Sequence, residues 1–260
     1  MHKDSVFRTI GVAILLCVVC SLMVSSAAVM LKDRQDLNKQ LDVKKNLLLA
    51  SGLLKNPKAS RDEIEKVFKS IRAEVVDLAS GEIVSNLKAE DFDQRKARKS
   101  PDTSKRIDDK QDIAGIKVRS KYSIVYKVLE NDAVSMIILP VNGKGLWSTL
   151  YGFIALTSDT KTVKGIGFYE HGETPGLGGE VDNPLWKKQW IGKVALGDDF
   201  EPVIEVMKGQ VQASDPKANQ RIDGLSGATI TSNGVTYLVH YWLGQDGFGP
   251  FLAKFRESQS

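Results

Sequence analysis

The chain has 260 residues, of which 42% are hydrophobic and 26% are charged, so it is long enough for one sizeable globular domain plus an attachment. This composition excludes an intrinsically disordered protein. The formal net charge of +4 is small, and the basic residues are scattered among nearly as many acids, which argues against nucleic-acid binding.

The first predicted element is a transmembrane helix. No charged residue occurs from Ile10 to Leu31, about 22 positions, and about 20 apolar residues cross a hydrocarbon core as a helix. A cleaved signal peptide is the alternative, because Ser25 to Ala28 offers small residues, but signal peptides have apolar cores of only about 7–15 residues. We therefore predict that residues 1–32 hold a retained, single-pass anchor. Lysines and arginines on both flanks leave its orientation open.

Residues 33–59 are predicted to form a helical stem. Leucines recur among charged residues from Asp33 to Leu54 at helical spacing, and the segment from Asn56 to Ser60 interrupts this pattern. A capping box from Ser60 to Glu63 then opens another helix. We place the globular domain at residues 60–260.

The central part of the chain predicts a twisted antiparallel sheet flanked by helices, and hence an α+β fold. Apolar and β-branched runs bounded by turn residues mark the strands. They are Ala73 to Leu78, Glu82 to Val84, Ile124 to Leu129, Val134 to Val141, Gly152 to Leu156 and Val163 to Tyr169. Segment 88–112 is rich in charge and poor in apolar residues, which predicts a solvated surface insertion.

Two glycine-rich segments are candidate sites. Gly143 to Gly152 contains Trp147 and Tyr151, whose flat faces suit a planar ring or, alternatively, cover the end of the sheet. His171 to Glu180 holds four glycines and a proline, a composition that shapes a rigid pocket with accessible backbone. The second segment is neither a P-loop nor a dinucleotide fingerprint, because no Gly-Lys-Ser/Thr follows it and no Gly-x-Gly-x-x-Gly opens a helix there.

No metal site is predicted. Cys17 and Cys20 lie inside the apolar N-terminal run, where they supply only half of a tetrahedral site, and buried free cysteines usually act as small apolar residues. His171, Glu173 and Glu180 offer three donors in a polar loop, an arrangement that more often faces water.

Near the C-terminus, a loop of small residues opens an apolar helix. The loop runs from Asp223 to Asn233, and the helix from Gly234 to Leu243 ends at Gly244. The hydroxyls of the loop can cap the helix, or its backbone N–H groups can bind an anion at the positive helix end. Residue types alone leave both interpretations open. A short packing helix after Pro184 and a final helix at 251–255 are also predicted.

The pattern Asp223-x-x-Ser226-Gly227-Ala228-Thr229 resembles the sequence at which a flavin transferase esterifies the phosphate of FMN onto the last threonine. The resemblance implies that Thr229 carries FMN through a phosphoester. Gly227 and Ala228 leave room for the active site of that second enzyme, and the helix N-terminus stabilises the remaining phosphate charge.

Several segments, in their order along the chain, resemble the C subunit of the sodium-translocating NADH:quinone reductase. They are the N-terminal anchor with residues 41–46, then 145–147, 173–178 and 226–232. The resemblance implies an electron-relay subunit of a membrane respiratory complex that passes electrons from NADH toward ubiquinone. Partner subunits would couple this transfer to sodium transport. It also implies a single-pass protein of the bacterial inner membrane with a periplasmic domain, flavinylated by a transferase during maturation.

The same family resemblance guides the expected contacts of FMN. Around the phosphate of the flavin on Thr229 we expect Ser226, Gly227, Ala228 and Thr231. At the ring we expect Glu173, Thr174, Leu177 and Gly178, with Trp147 beside them. No catalytic residue is expected, because the chain would act as a relay and not as an enzyme on its own.

Two other functions remain open from the residues alone. The first is the FMN-carrying G subunit of the Rnf ferredoxin:NAD complex, which shares the flavinylation motif and the Pro175-Gly176-Leu177-Gly178 loop. The long stem and the charged insertion favour the sodium-translocating reductase. The second is a non-redox, membrane-tethered binding domain whose small-residue loops are only caps and turns.

Overall fold

The computed structural model describes residues 6–259, which fall into two compact units, Met1–Val43 and Lys44–Ser260. The described part of the first unit is helical and belongs to α1, Val6–Ala50. The apolar side chains of this part are exposed, and α1 is long and apolar enough to cross a membrane by length and composition. Cys17 and Cys20 lie on this helix as free, exposed cysteines.

The second unit begins earlier than the predicted domain boundary at residue 60. Leu47, Leu48 and Ala50 at the end of α1 are buried, and Leu54 after it is buried too. The end of the predicted stem is therefore part of the globular core, because its leucines cover apolar surface instead of facing solvent.

The globular unit is built on a five-stranded antiparallel sheet, which confirms the predicted α+β class. Its strand order is β1-β4-β5-β6-β7. These strands are β1 Ile71–Asp77, β4 Tyr122–Glu130, β5 Ala133–Lys144, β6 Thr149–Thr157 and β7 Val163–Glu170. Two small sheets pair β2 Ser104–Arg106 with β3 Val118–Ser120, and β8 Glu205–Val206 with β9 Arg221–Ile222. The predicted strand at Glu82 to Val84 is only a single bridge between Ile83 and Val76.

Helices cover both faces of the sheet. They are α2 Arg61–Phe68, α3 Gln94–Ala97, α4 Pro184–Lys188, α5 Thr229–Leu243 and α6 Gly249–Glu257. On one face, α5 packs against β5, and Leu139 and Leu238 belong to one buried cluster. On the other face, Ala50 lies against Gly165 and Gly167 of β7, and Phe68 of α2 contacts Tyr126 edge-on. The sheet is buried on both sides, so a ligand can reach the domain mainly at strand and helix ends.

Segment 88–112, predicted as a solvated insertion, is mostly exposed but is anchored to the domain. Arg95 forms an ion pair with Glu170 at 2.9 Å, and its guanidinium lies 3.7 Å from the centre of the Tyr151 ring. Ile107 is buried. Because one arginine and one isoleucine make these contacts, the composition of the segment does not reveal them.

Candidate functional site

The candidate site begins at the N-terminus of α5. Thr229 is the first residue of this helix and is exposed, as are Ser226 and Gly227, whereas Ala228 is buried. Gly227 has a φ of 70°, a conformation that residues with a side chain rarely adopt. The threonine expected to carry the flavin therefore lies on the surface, at the end of a tight turn.

The start of α5 has no side-chain cap. The N-cap residue is Ala228, and within residues 6–259 no group accepts a hydrogen bond from the backbone N–H of Thr229, Ile230 or Thr231. The interpretation in which the hydroxyls of this loop cap the helix is therefore wrong. Unpaired N–H groups at the positive end of a helix attract anions, so a phosphate group fits this position.

Hydrogen bonds from three directions hold the turn before α5. The indole Nε1 of Trp186, in α4, donates to the carbonyl of Asp223 at 2.8 Å. The Asp223 carboxylate accepts the N–H of Val211 at 2.7 Å. The N–H of Leu225 donates to the hydroxyl of Ser232 at 3.0 Å. Asp223, the first residue of the motif, thus stabilises the turn that presents Thr229.

Glu173 joins both glycine-rich segments to α5. Its carboxylate accepts the backbone N–H groups of Leu146 at 3.2 Å, Trp147 at 2.9 Å and Ser148 at 3.1 Å. It also accepts the hydroxyl of Thr231 at 2.6 Å, and Glu173 and Thr231 are both buried. We call Glu173 with these four donors the Glu173 cluster. Thr231, expected near the phosphate, thus directs its hydroxyl to Glu173.

The Glu173 cluster stabilises the ionised form of its carboxylate. Burial alone would raise the pKa of Glu173, because desolvation disfavours a charge. The hydrogen bonds from Thr231, Trp147, Ser148 and Leu146 outweigh that effect and lower the pKa below its ordinary value. The cluster therefore holds a negative charge at neutral pH.

Gly145 and Gly178 pack against the same carboxylate. A Cβ atom on Gly145 would lie 2.6 Å from Glu173 Oε1, and one on Gly178 would lie 2.7 Å from both Glu173 Oε2 and Thr231 Oγ1. The glycine content of both segments predicts a close approach of the backbone to a ligand. For these two glycines, the structure shows that the close neighbour is the Glu173 cluster, which a larger residue would push apart.

Leu177 brings the second glycine-rich loop next to the turn before α5. Its Cδ2 atom would lie 2.9 Å from a Cβ atom built on Gly227, so the two loops are neighbours. The carbonyl of Thr174 accepts the N–H of Leu177 and closes this loop. Leu177 is 43% exposed, and Ile230 on α5 is 59% exposed. Apolar surface therefore borders the exposed threonine.

The two aromatic residues of the first glycine-rich segment have different surroundings. Trp147 is 68% exposed at the end of the β5–β6 turn, and its backbone is held by Glu173. Tyr151 lies on β6 beneath Arg95, with its ring centre 6.3 Å from that of Tyr169. Tyr151 thus covers the sheet, which is one of its two predicted roles, whereas Trp147 is accessible to a ligand.

His171 uses both ring nitrogens within the protein. Its Nε2 lies 2.8 Å from Asp182 Oδ2, and its Nδ1 accepts the N–H of Glu173 at 3.2 Å. The hydrogen bond with Asp182 raises the pKa of His171. Within residues 6–259, no group of three or more His, Cys, Asp or Glu side chains is placed to hold a metal ion.

Residues that surround Thr229 in space come from the segment that a family model covers. The family described as an FMN-binding domain matches residues 145–244. That range contains the Glu173 cluster, the loop of Leu177 and the whole of α5.

Curated proteins match nearly the whole chain. The C subunit of a Na(+)-translocating NADH-quinone reductase from Pseudomonas aeruginosa is 46% identical over 260 residues, covering 100% of this chain and 99% of that protein. The corresponding protein of Yersinia pestis is 45% identical, covering 98% of this chain and 95% of that protein.

Solved structures share the fold. The crystal structure of Shewanella oneidensis NqrC superposes with a TM-score of 0.77 and 34% identity, covering 85% of this chain and 99% of that chain. The crystal structure of the C subunit of a Na(+)-translocating NADH-quinone reductase from Parabacteroides distasonis gives a TM-score of 0.63 at 26% identity, covering 84% of this chain and 96% of that chain.

Proposed function

The chain belongs to the family of C subunits of the Na(+)-translocating NADH-quinone reductase, and from this premise we propose that it carries FMN as a phosphoester on Thr229 and relays electrons within such a complex. The observation that carries the proposal is the exposed Thr229 at an uncapped helix start, inside the range matched by the FMN-binding family. The full-length match favours this family over the G subunit of the Rnf complex.

Attachment requires a phosphoryl group that is already activated. A flavin dinucleotide supplies it: the phosphoanhydride bond breaks, a nucleoside monophosphate leaves, the Oγ of Thr229 bonds to the riboflavin phosphate, and the hydroxyl proton is released. The flavin transferase performs this reaction during maturation. The exposure of Ser226, Gly227 and Thr229 gives a second enzyme access to the acceptor.

The residues around Thr229 would bind and orient the attached group. The N–H groups at the start of α5 bind the phosphate oxygens, beside Ser226, Gly227 and Ala228. Leu177 and Trp147 offer apolar surface to the ring, and Thr174, Gly178 and Glu173 hold the loop that carries Leu177. Bound FMN supplies one-electron exchange with neighbouring redox centres.

The remaining steps belong to partner subunits in this proposal. Electrons run from NADH toward ubiquinone, with sodium transport coupled elsewhere in the complex. Within residues 6–259, α1 is the one helix long and apolar enough to span a membrane, so this part of the chain has a single predicted crossing. We therefore propose that the chain is not catalytic alone and joins its partners in part through this helix.

In-gel fluorescence tests the covalent bond. The full-length chain is expressed with the flavin transferase, denatured, separated on a gel and illuminated. We expect a fluorescent band that is absent for Thr229→Val and present for Thr231→Val, which removes a neighbouring hydroxyl. The tryptic peptide that starts at Ile222 should carry the added mass of FMN. A dark wild-type band with transferase present contradicts the proposal and supports the non-redox binding domain.

We also propose that the chain resides in the bacterial inner membrane with the globular domain in the periplasm. The test uses a chain in which Cys17 and Cys20 are replaced by alanine and the exposed Asp109 is replaced by cysteine. A membrane-impermeant maleimide should label Asp109→Cys in spheroplasts. Labelling that occurs only after the membrane is opened would place the domain in the cytoplasm.

A further inference from the structure

Three segments that are far apart in sequence converge on one buried carboxylate. Glu173 is 5% exposed, and it is separated from its Thr231 partner by 58 positions. Glu173 fixes the backbone at Leu146 to Ser148. Its own loop places Leu177 next to Gly227, and its partner Thr231 belongs to the first turn of α5. Loss of this carboxylate would release all three segments at once.

The charge of Glu173 has no cationic partner. Its four hydrogen bonds come from backbone N–H groups and a hydroxyl, and within residues 6–259 no Lys or Arg forms an ion pair with it. The nearest titratable group in contact is His171, whose Nδ1 accepts the N–H of Glu173 and whose other nitrogen faces Asp182. A buried charge without a counter-charge acts over a longer range than a paired one.

This charge lies close to the end of α5 that presents Thr229. Thr231, which donates to Glu173, is two positions beyond Thr229, about 3 Å along the helix axis, and it points inward where Thr229 points to the surface. Gly178 packs against both the carboxylate and Thr231, so the loop and the helix are in direct contact. The residue that would carry the flavin is therefore close to a fixed negative charge, and partly buried charges are screened less than exposed ones.

We propose that Glu173 is the positioning residue of the flavin site: it holds the turn at 146–148 and the loop at 174–178 against α5, and its unpaired negative charge lowers the reduction potential of FMN on Thr229. The inference rests on the proposed function. An electron added to the flavin meets the carboxylate as a like charge, so reduction becomes less favourable. The two parts have different readouts, because orientation changes the visible circular dichroism of the flavin and charge changes its potential.

The experiment compares full-length, flavinylated chains in detergent. Glu173→Gln removes the charge but keeps the shape, and Thr231→Val removes one hydrogen bond but keeps the charge. Asp246→Asn is the matched control, because Asp246 is another well-bonded carboxylate near the opposite end of α5. Visible circular dichroism is recorded, and the potential is measured by reductive titration against a reference dye.

We expect Glu173→Gln to keep its fluorescent band, to lose most of its visible dichroism and to shift the potential to a more positive value. Thr231→Val should weaken the dichroism with a smaller shift of the potential, and Asp246→Asn should change neither. An unchanged potential in flavinylated Glu173→Gln, or an equal shift in Asp246→Asn, overturns the role of the charge. If Glu173→Gln does not fold, Thr231→Val decides the role in positioning, which unchanged dichroism overturns. A wild-type chain without flavin overturns the proposed function itself.

Discussion

The two ends of α5 each meet a carboxylate that gathers several segments, but the two carboxylates are compensated in different ways. At the N-terminal end, Glu173 is bound only by neutral donors. At the other end, Asp246 accepts hydrogen bonds from Tyr241 at 2.6 Å and from Arg119 at 3.2 Å, and it also pairs with Lys105. At the Asp246 end, which we call the Asp246 clamp, two cations more than compensate the carboxylate, whereas the Glu173 end keeps a net negative charge.

Because the two carboxylates are compensated differently, we expect the Asp246 end of α5 to contribute to stability and the Glu173 end to contribute to function. Arg119 is 2% exposed, so its charge needs Asp246 as a partner, and the pair ties β3 to the loop between α5 and α6. Glu173 ties together loops next to the proposed flavin, where an uncompensated charge acts on a redox group. We therefore expect changes at Asp246 to affect unfolding and changes at Glu173 to affect the flavin.

The largest expected effect is on stability at the Asp246 end. Asp246→Ala leaves the buried guanidinium of Arg119 without its counter-charge, and breaking a buried ion pair in this way costs about 3 kcal/mol or more of the free energy of unfolding. Urea unfolding of the full-length chain in detergent measures this loss of the free energy of unfolding. The flavin dichroism of the folded protein should stay as in the wild type. A loss below about 0.5 kcal/mol, the size typical of surface substitutions, contradicts the clamp.

The second effect is on the acid stability that Asp246 confers. Burial alone would raise the pKa of Asp246, but hydrogen bonds from Arg119, Lys105 and Tyr241 outweigh it, so the folded pKa lies below the ordinary value of 3.8. A group with a lowered folded pKa stabilises the protein above its unfolded pKa, and this stabilisation is lost as the pH falls through 3.8 toward the folded value.

The free energy of unfolding should therefore fall in the wild type as the pH drops below about 4, with a slope of up to about 1.4 kcal/mol per pH unit for this one proton. Asp246→Asn has no such proton, so its slope should be smaller by that amount. Parallel slopes in urea unfolding at several pH values would show that Asp246 is not the titrating clamp.

A third prediction concerns the exposed tryptophan at the Glu173 end. Trp147→Ala removes a side chain that is 68% exposed, so the free energy of unfolding should change by less than about 0.5 kcal/mol. If the indole contacts the flavin ring, its removal should raise the flavin fluorescence of the native chain. Leu185→Ala is a suitable control, because Leu185 is also exposed, at 76%, on α4. Equal fluorescence in wild type and Trp147→Ala would remove Trp147 from the ring contacts.

The sequence predicts the sheet well because its strands carry regular apolar patterns, and it predicts Thr229 because the motif is local. The role of Glu173 is not predictable in this way. Its partners lie 25 to 58 positions away, and three of them are backbone N–H groups, which carry no sequence signal. The packing of Gly145 and Gly178 on that carboxylate is hidden for the same reason.

The anchoring of segment 88–112 and the burial of Leu47 and Leu48 show a related limit. A charged segment that docks through Arg95, and a stem helix whose last turn enters the core, have the composition of solvated elements. Their positions depend on the tertiary partners Tyr151 and Glu170 and on the second face of the sheet, none of which is adjacent in sequence.

The smallest expected effect concerns the nearest cation at the Glu173 end, which reaches the cluster only indirectly. Lys187 pairs with Asp182 at 3.0 Å, Asp182 bonds to His171, and His171 accepts the N–H of Glu173. The positive charge of Lys187 lowers the pKa of His171, against the larger raising effect of Asp182. Lys187→Met should therefore raise the pKa of His171 further, and the change should be small because the pair is partly solvent-screened.

Proton NMR titration of the His171 ring measures this change, with Lys188→Met as the neighbouring control. An unchanged pKa of His171 in Lys187→Met would mean that the charge of Lys187 does not reach the His171–Asp182 pair as the distances indicate. The Glu173 end would then be electrostatically isolated from this cation, and the contrast with the cation-paired Asp246 end would be sharper still.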